Sequence, residues 1–435
     1  MYKASKFNFW APVDDNRYLL FNGVSGAMYE LDAQERELAL EWFDSVGEVL
    51  GPVGESSPCY SLVDGGFIIP EQLDEIELLL AENQSECIHH SVLDLVLVPT
   101  YNCNFRCVYC YVDFKAGNMS LDVEERILRY IERLLPQYAQ INITWFGGEP
   151  LLCLDTVLRV SPKIKKIADQ YKVRLFSFIA SNGYLLHLET ARKLVEEADI
   201  RFFHITIDGP RRHHDRLRVL SGGGPSYAII MKNLLDILTH IPQAHITLRM
   251  NADEENIDSL HEVLDDIPHD FHQRIQINIF PILHGGEIPS VWLYKKINQV
   301  IRHALEDDYL YYDNHIPVGR KTFCSADKLG NFQVGFDGTL YKCSPATDKI
   351  EVEVGSLCSD GSFELNESCH AWHEAPALRD FCADCPYFCF CLGGCRLERL
   401  RGVNDKSCMN RYADIENLIV NRYLGIINDS FDAPL

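Results

Sequence analysis

Residues 93–110 read "LDLVLVPTYNCNFRCVYC". The apolar run before Pro99 is short and rich in β-branched residues, the mark of a buried strand. Cys103, Cys107 and Cys110 follow it at once, spaced C-x3-C-x2-C. Three thiols beside Asn and Arg are poor core material. Zinc favours four ligands in closed pairs. Three neighbouring thiolates suit a [4Fe–4S] cube that keeps one iron without a protein ligand.

The same alternation repeats downstream. Apolar runs recur at "INITWF" (141–146), "RLFSFIA" (174–180), "RFFHITI" (201–207), "HITLRM" (245–250) and "IQINIFPI" (275–282). They read as parallel strands covered on both faces. Helix-like segments separate them near 120–136, 154–171, 187–197, 226–241 and 256–266, the first with Ser120 as N-cap. The fold class is α/β: six β-then-α units forming a partial (β/α)6 barrel, with an open doubly wound sheet as the alternative. Either arrangement places chemistry at the C-terminal strand ends. The cysteines, "GGEP" (147–150), "SNG" (181–183) and "DGP" (208–210) all stand there.

The flanks differ from this middle unit, which spans 91–309. Residues 1–90 predict a small α+β domain: a hairpin turning near Asn22-Gly23 or Ser25-Gly26, a helix over 33–49, a strand-like piece "YSLVDGGFIIP" and a helix "EQLDEIELLLAEN". A winged-helix unit fits that order, and so does a plain packing extension. Residues 310–435 read as loop-rich and cysteine-rich, closing with a helix near 410–424, a segment that needs metal to hold its shape.

Composition narrows the classes. A chain of 435 residues allows two or three domains, and 47% hydrophobic residues supply their cores. With 63 acidic against 40 basic residues, general binding to nucleic acid or an anionic membrane is disfavoured. The N-terminus lacks a signal-peptide pattern and no run approaches a membrane span, so the reading is cytoplasmic. Without export, 16 cysteines point to metal or cluster ligation rather than disulfides. They are grouped, three at 103–110 and ten from 324 to 408, which makes two separate sites.

The stretch at 103–110 resembles the signature of the radical SAM superfamily, C-x3-C-x-aromatic-C, with Tyr109 as the aromatic. The resemblance implies that Cys103, Cys107 and Cys110 hold a [4Fe–4S] cluster whose open iron is chelated by S-adenosylmethionine. Reductive cleavage would then give a 5′-deoxyadenosyl radical that abstracts hydrogen, with electrons from a donor such as flavodoxin or ferredoxin. Gly147, Gly148 and Glu149 resemble the segment that receives the methionine amino group, the glycines allowing close approach and the carboxylate accepting from an ammonium. Ser181, Asn182, Thr206 and Asp208 resemble polar strand ends that contact ribose and methionine; alone they read as turn residues. Arg218 resembles the arginine for the methionine carboxylate, and alone reads as a loop arginine. Tyr109 would pack on the adenine, and the sixth strand near Ile279 would add a contact.

The later cysteines run Cys324-x13-Gly338-x4-Cys343, Cys382-x2-Cys385-x5-Cys391-x3-Cys395, then Cys408. This resembles the SPASM domain of peptide- and protein-modifying radical SAM enzymes; a zinc ribbon is the alternative. The family wiring would give one auxiliary iron–sulfur cluster to Cys382, Cys385, Cys391 and Cys408 and another to Cys324, Cys343 and Cys395. The second lacks a fourth cysteine ahead of Cys324, leaving an open iron, a smaller cluster, or a ligand drawn from His315, Cys358, Cys369 or Cys389. Ser344 stands where related sulfatase-maturing enzymes carry an aspartate base, which argues against that reaction. The implied function is a peptide maturase acting on a ribosomally made precursor peptide or protein, leaving a crosslink such as a thioether, an epimerised centre or a related change. The alternatives are a radical SAM enzyme for a small molecule or redox-cofactor precursor, and a zinc-stabilised peptide-binding scaffold. No side chain stands out as a catalytic base.

Overall fold

The computed structural model describes residues 1–45, 54, 57, 59–112, 114–282, 289–311, 321–343, 352–375, 378–403 and 406–428. The chain opens with β1 (Tyr2–Ala4) and an antiparallel meander of β2 (Asn8–Pro12), β3 (Arg17–Asn22) and β4 (Met28–Asp32). Asn22 shapes the expected β3–β4 turn, its Oδ1 accepting from the Val24 and Ser25 amides at 3.0 and 2.8 Å. A helix follows over Ala33–Ser45. The piece expected as one strand divides: Tyr60–Asp64 is a helical turn, and only β5 (Ile68–Pro70) is extended, pairing with β1. Gly65 and Gly66, the latter at φ 74°, make the break. The next helix starts later than the sequence suggested, at Glu75–Ile88, because Asp74 caps the Ile76 and Glu77 amides.

The middle of the chain is the partial barrel. In chain order come β6 (Val92–Leu97), the short β7 (Phe105–Cys107), β8 (Gln140–Trp145), β9 (Arg174–Ser181), β10 (Phe202–Thr206), the short β11 (Arg218–Leu220), β12 (His245–Ala252), β13 (Ile275–Pro281) and β14 (Leu310–Tyr311). Strands β6, β8, β9, β10, β12, β13 and β14 lie side by side, all parallel. Helices Leu121–Leu134, Leu154–Tyr171, Leu188–Ala198, Tyr227–His240 and Val291–Glu306 cover the outside. One apolar face of each strand (Leu95, Ile143, Ile179, Ile205, Leu248, Ile277) meets Ile127, Ile164, Leu194, Leu234 and Ile301 in a single core.

The other face corrects the expectation of strands buried on both sides. Asp94, Asn142, His204, Thr206, Arg249 and Asn251 alternate with the apolar set and are only half-buried. They line the lumen of the half-open barrel, where water, cofactor and substrate can reach them.

Beyond β14, β15 (Phe332–Val334) returns to pair in parallel with β6. Then β16 (Thr339–Tyr341), β17 (Glu353–Leu357) and β18 (Phe363–Leu365) extend the same sheet antiparallel to eleven strands. The segment read as loop-rich therefore contributes four strands to the barrel edge. Its last part packs on the N-terminal meander. Phe9 and Phe21 meet the Phe390 ring at 5.2 and 6.2 Å, and Tyr387 and Tyr412 close the group. The final helix runs Ile415–Asn428, later than expected, after a 3-10 stretch over Lys406–Tyr412. Among the described residues no helix is long and apolar enough to cross a membrane.

Candidate cofactor and cluster sites

The loop leaving β6 carries the first three cysteines, and β7 within it pairs antiparallel with β11, so that Cys107 faces Arg218 across the ladder. Cys103 and Cys107 are half-buried and Cys110 is exposed. The Phe105 amide donates to Cys103 Sγ at 3.3 Å. Burial pushes the Cys103 thiol up to about 12 and the Cys107 thiol upward as well, a cost that ligation to iron, which deprotonates a thiol, would remove.

"GGEP" lies directly against this loop. The Gly148 and Glu149 amides donate to the Thr100 and Asn102 carbonyls at 3.1 and 2.8 Å. A Cβ on Gly147 would stand 2.5 Å from the Thr100 oxygen, and one on Gly148 would stand 2.2 Å from that of Asn102. The glycines thus let "GGEP" press against the cysteine loop, a close approach within the protein that the sequence did not reveal. Glu149 is fully buried. Its carboxylate accepts from the Leu151 amide, Ser181 Oγ and the Asn182 amide at 3.0, 3.0 and 2.8 Å. Asn182 in turn donates to Asn104 Oδ1 at 2.7 Å, tying the end of β9 to the cysteine loop.

The third group gathers on Asp208, fully buried after β10. The Tyr109 hydroxyl donates to Asp208 Oδ2, Arg218 Nη1 donates to the Tyr109 oxygen at 2.8 Å, and Arg218 lies 3.5 Å from Asp208. Asn251 on β12 completes the group, its amide donating to Asp208 Oδ1 at 2.9 Å. Thr206 faces the lumen directly opposite Arg249 in the β10–β12 register. Ile279 belongs to the outer core, and its lumen-side neighbours are Asn278 and Phe280.

These residues fit the groups the sequence implied. Three thiols stand on one loop with a cation opposite. Glu149 uses three of its four carboxylate lone-pair sites, and burial raises it to about 7 against the weaker pull of its hydrogen bonds and of Arg218, so an added ammonium has both an acceptor and an electrostatic reason to bind.

The later cysteines form two groups. Burial pushes the Cys391 thiol up to about 12, with Cys385, Cys382 and Cys408 close enough to add to it. Arg379 hydrogen-bonds Cys408 and pairs with Glu398 at 2.5 Å. Cys343 and Cys395 flank a small core of Tyr341, Val352, Trp372 and Leu397, alongside Ala326. Cys324 donates its amide to Asp327, which pairs with Arg396 at 3.0 Å and so links the Cys324 and Cys395 turns. Among the spare cysteines, Cys369 lies in the main core, Cys389 packs in the aromatic core against Gly23, and Cys358 follows β17. His315 and Ser344 lie outside the described residues. The one described trio of ligand atoms within 4.8 Å is His269, His272 and Asp307, away from these cysteines in sequence. Both ring nitrogens of His272 there already meet carbonyls, of Asp307 and Ile267.

Residues 97–267 match the family model described as the Radical SAM superfamily. The chain carries a radical SAM domain. The chain spans about half the length of three curated relatives, 42%, 46% and 51% of them. The cysteine-type anaerobic sulfatase-maturating enzyme of Clostridium novyi is 24% identical over 71% of this chain and 88% of its own. GTP 3′,8-cyclase of Lactiplantibacillus plantarum is 25% identical over 66% and 81%. In fold, the chain is similar to anSMEcpe with bound AdoMet and Kp18Cys peptide (TM-score 0.60, 16% identity, 78% of this chain and all of that one). It is also similar to Streptococcus suis SuiB bound to precursor peptide SuiA (TM-score 0.56, 12% identity, 94% and 100%).

Sequence reasoning missed Asn251 and Arg249. The alternation in "HITLRM", with Ile, Leu and Met outward, was the available signal for Arg249.

Proposed function

We propose that the protein is a radical SAM enzyme that modifies a peptide or protein substrate, with two auxiliary iron–sulfur clusters in its C-terminal segment. The observation that carries the reading is the joint placement of the cysteine groups. One loop with three thiols opens on the barrel lumen, and Lys115 just after it lies 5.9 Å from both the Tyr101 ring, two residues before Cys103, and the Tyr341 ring, two residues before Cys343. The first cysteine site and one auxiliary site therefore border the same space. The similarity to SuiB with its precursor peptide, which covers 94% of this chain, supports a peptide substrate and a recognition role for residues 1–90.

When bound, the first cluster and S-adenosylmethionine supply one-electron reduction and hydrogen abstraction. The chain's residues do the holding. Cys103, Cys107 and Cys110 would ligate the cluster, leaving its fourth position to the cofactor. Glu149 would take the ammonium, and Arg218, held by Tyr109 and Asp208, would face the carboxylate. Ser181, Asn182 and Thr206 border the same strand ends. Cys382, Cys385, Cys391 and Cys408 would hold one auxiliary cluster; Cys324, Cys343 and Cys395 would hold the other with a position open to a substrate thiolate.

Small-molecule chemistry is the second reading, favoured by the similarity to the GTP cyclase over two thirds of this chain. The test is to express the protein with candidate precursor peptides encoded beside it and search for a mass change. A modified peptide that requires Cys103 supports the first reading. An enzyme that makes 5′-deoxyadenosine yet leaves every such peptide intact supports the second.

A further inference from the structure

From the lumen face of β12 we infer that Arg249 is an anion anchor for the substrate, receiving a carboxylate carried at or next to the reacting residue of the peptide. The inference rests on the reading above and adds a substrate class to it. Arg249 Nε donates to Asn251 Oδ1 and Nη1 donates to Asn278 Oδ1, both at 2.9 Å. Its guanidinium lies 4.0 Å from the centre of the Phe280 ring. Neutral amides and an aromatic face therefore fix its direction without cancelling its charge. Among the described residues no carboxylate forms an ion pair with Arg249, and its Nη2 makes no hydrogen bond.

Arg218 shows the contrast. It is matched by Asp208 3.5 Å away, just past the end of β10, the strand next to β12. Burial pulls Arg249 down to about 10, with Tyr111, Asp208 and Tyr109 acting the other way through space. His204, also on the lumen face, is held neutral by burial and by Arg249 itself, so it does not compete for an anion. Asn251, which accepts from Arg249, donates its side-chain amide to the Tyr109 hydroxyl oxygen at 3.2 Å and its backbone amide to Asp208. The cation therefore stands on the lumen face next to the first cysteine site, where a reacting side chain has to lie. A planar guanidinium with free N–H groups suits a carboxylate. The carboxylate of S-adenosylmethionine is the other possible source.

The test uses the iron-loaded holoenzyme and two probes, N-acetyl-glutamate amide and N-acetyl-glutamine amide, titrated by ligand line broadening with and without saturating S-adenosylmethionine. Wild type should bind the acidic probe in both conditions and ignore the neutral one. Arg249→Gln should weaken binding at least tenfold, with Arg249→Lys in between. Equal binding by Arg249→Gln, no binding by wild type, or loss of binding on adding S-adenosylmethionine would each overturn the inference, the last by assigning Arg249 to the cofactor. Should Arg249→Gln not fold, as judged by circular dichroism and iron content, the Arg249→Lys affinity decides. Failure of the underlying reading appears separately, as wild type without iron or without 5′-deoxyadenosine.

Discussion

A methyl group at Gly148 would collide with the backbone of the cysteine loop, so Gly148→Ala should displace that loop. Overpacking of this kind costs about 1–3 kcal/mol or more. The variant should melt lower and load less iron at the first site while keeping its auxiliary iron, measured by calorimetry and metal counting. Arg218→Met leaves Asp208 buried without its cation, a loss of about 3–5 kcal/mol for a broken buried pair. It should also weaken S-adenosylmethionine at least tenfold in equilibrium dialysis. At this scale the sequence was legible where chemistry is local: the three cysteines, "GGEP" and Arg218 are short patterns. Arg249 was not, because a lone arginine in a strand has no local signature, and Asn278 and Phe280 meet it only after folding.

Elements explain why those side chains meet. The β7–β11 ladder is short, yet it alone sets Arg218 opposite Cys107. The ion pair between Asp327 and Arg396 does the same for the Cys324 and Cys395 turns, with both side chains largely buried. Asp327→Ala should leave Arg396 uncompensated and empty the Cys324/Cys343/Cys395 site, seen as a partial loss of iron with the other sites full. Six parallel strands and their helices were readable from apolar runs at helix-separated intervals. The polar face of those strands was also written there, in alternations such as Thr247 and Arg249 against Leu248 and Met250. The parallel return of β15 onto β6 was not, since three residues carry little pattern and their partner lies far back in the chain.

For the whole molecule, the N-terminal meander and the last cysteine segment share one core. Gly23 is the point of contact, with a Cβ there falling 2.5 Å from Cys389 Sγ. Gly23→Ala should lower the melting temperature, and Cys389→Ala should partly restore it in the double variant, because the two residues touch. Cys389→Ala alone should leave the iron content unchanged, as suits a packing cysteine. Neither end of the chain announced this union, whose aromatic contacts join residues from opposite termini. The central claim concerns the loop that opens the barrel. It is tested most directly by anaerobic reconstitution with iron and sulfide, metal counting, and an assay for 5′-deoxyadenosine with dithionite. Wild type should be run beside Cys103/Cys107/Cys110→Ala. Three four-iron clusters predict about 12 irons per chain, with about a third lost in the triple variant together with all nucleoside. Zinc in place of iron, or fully loaded clusters that cleave no S-adenosylmethionine, would contradict the account.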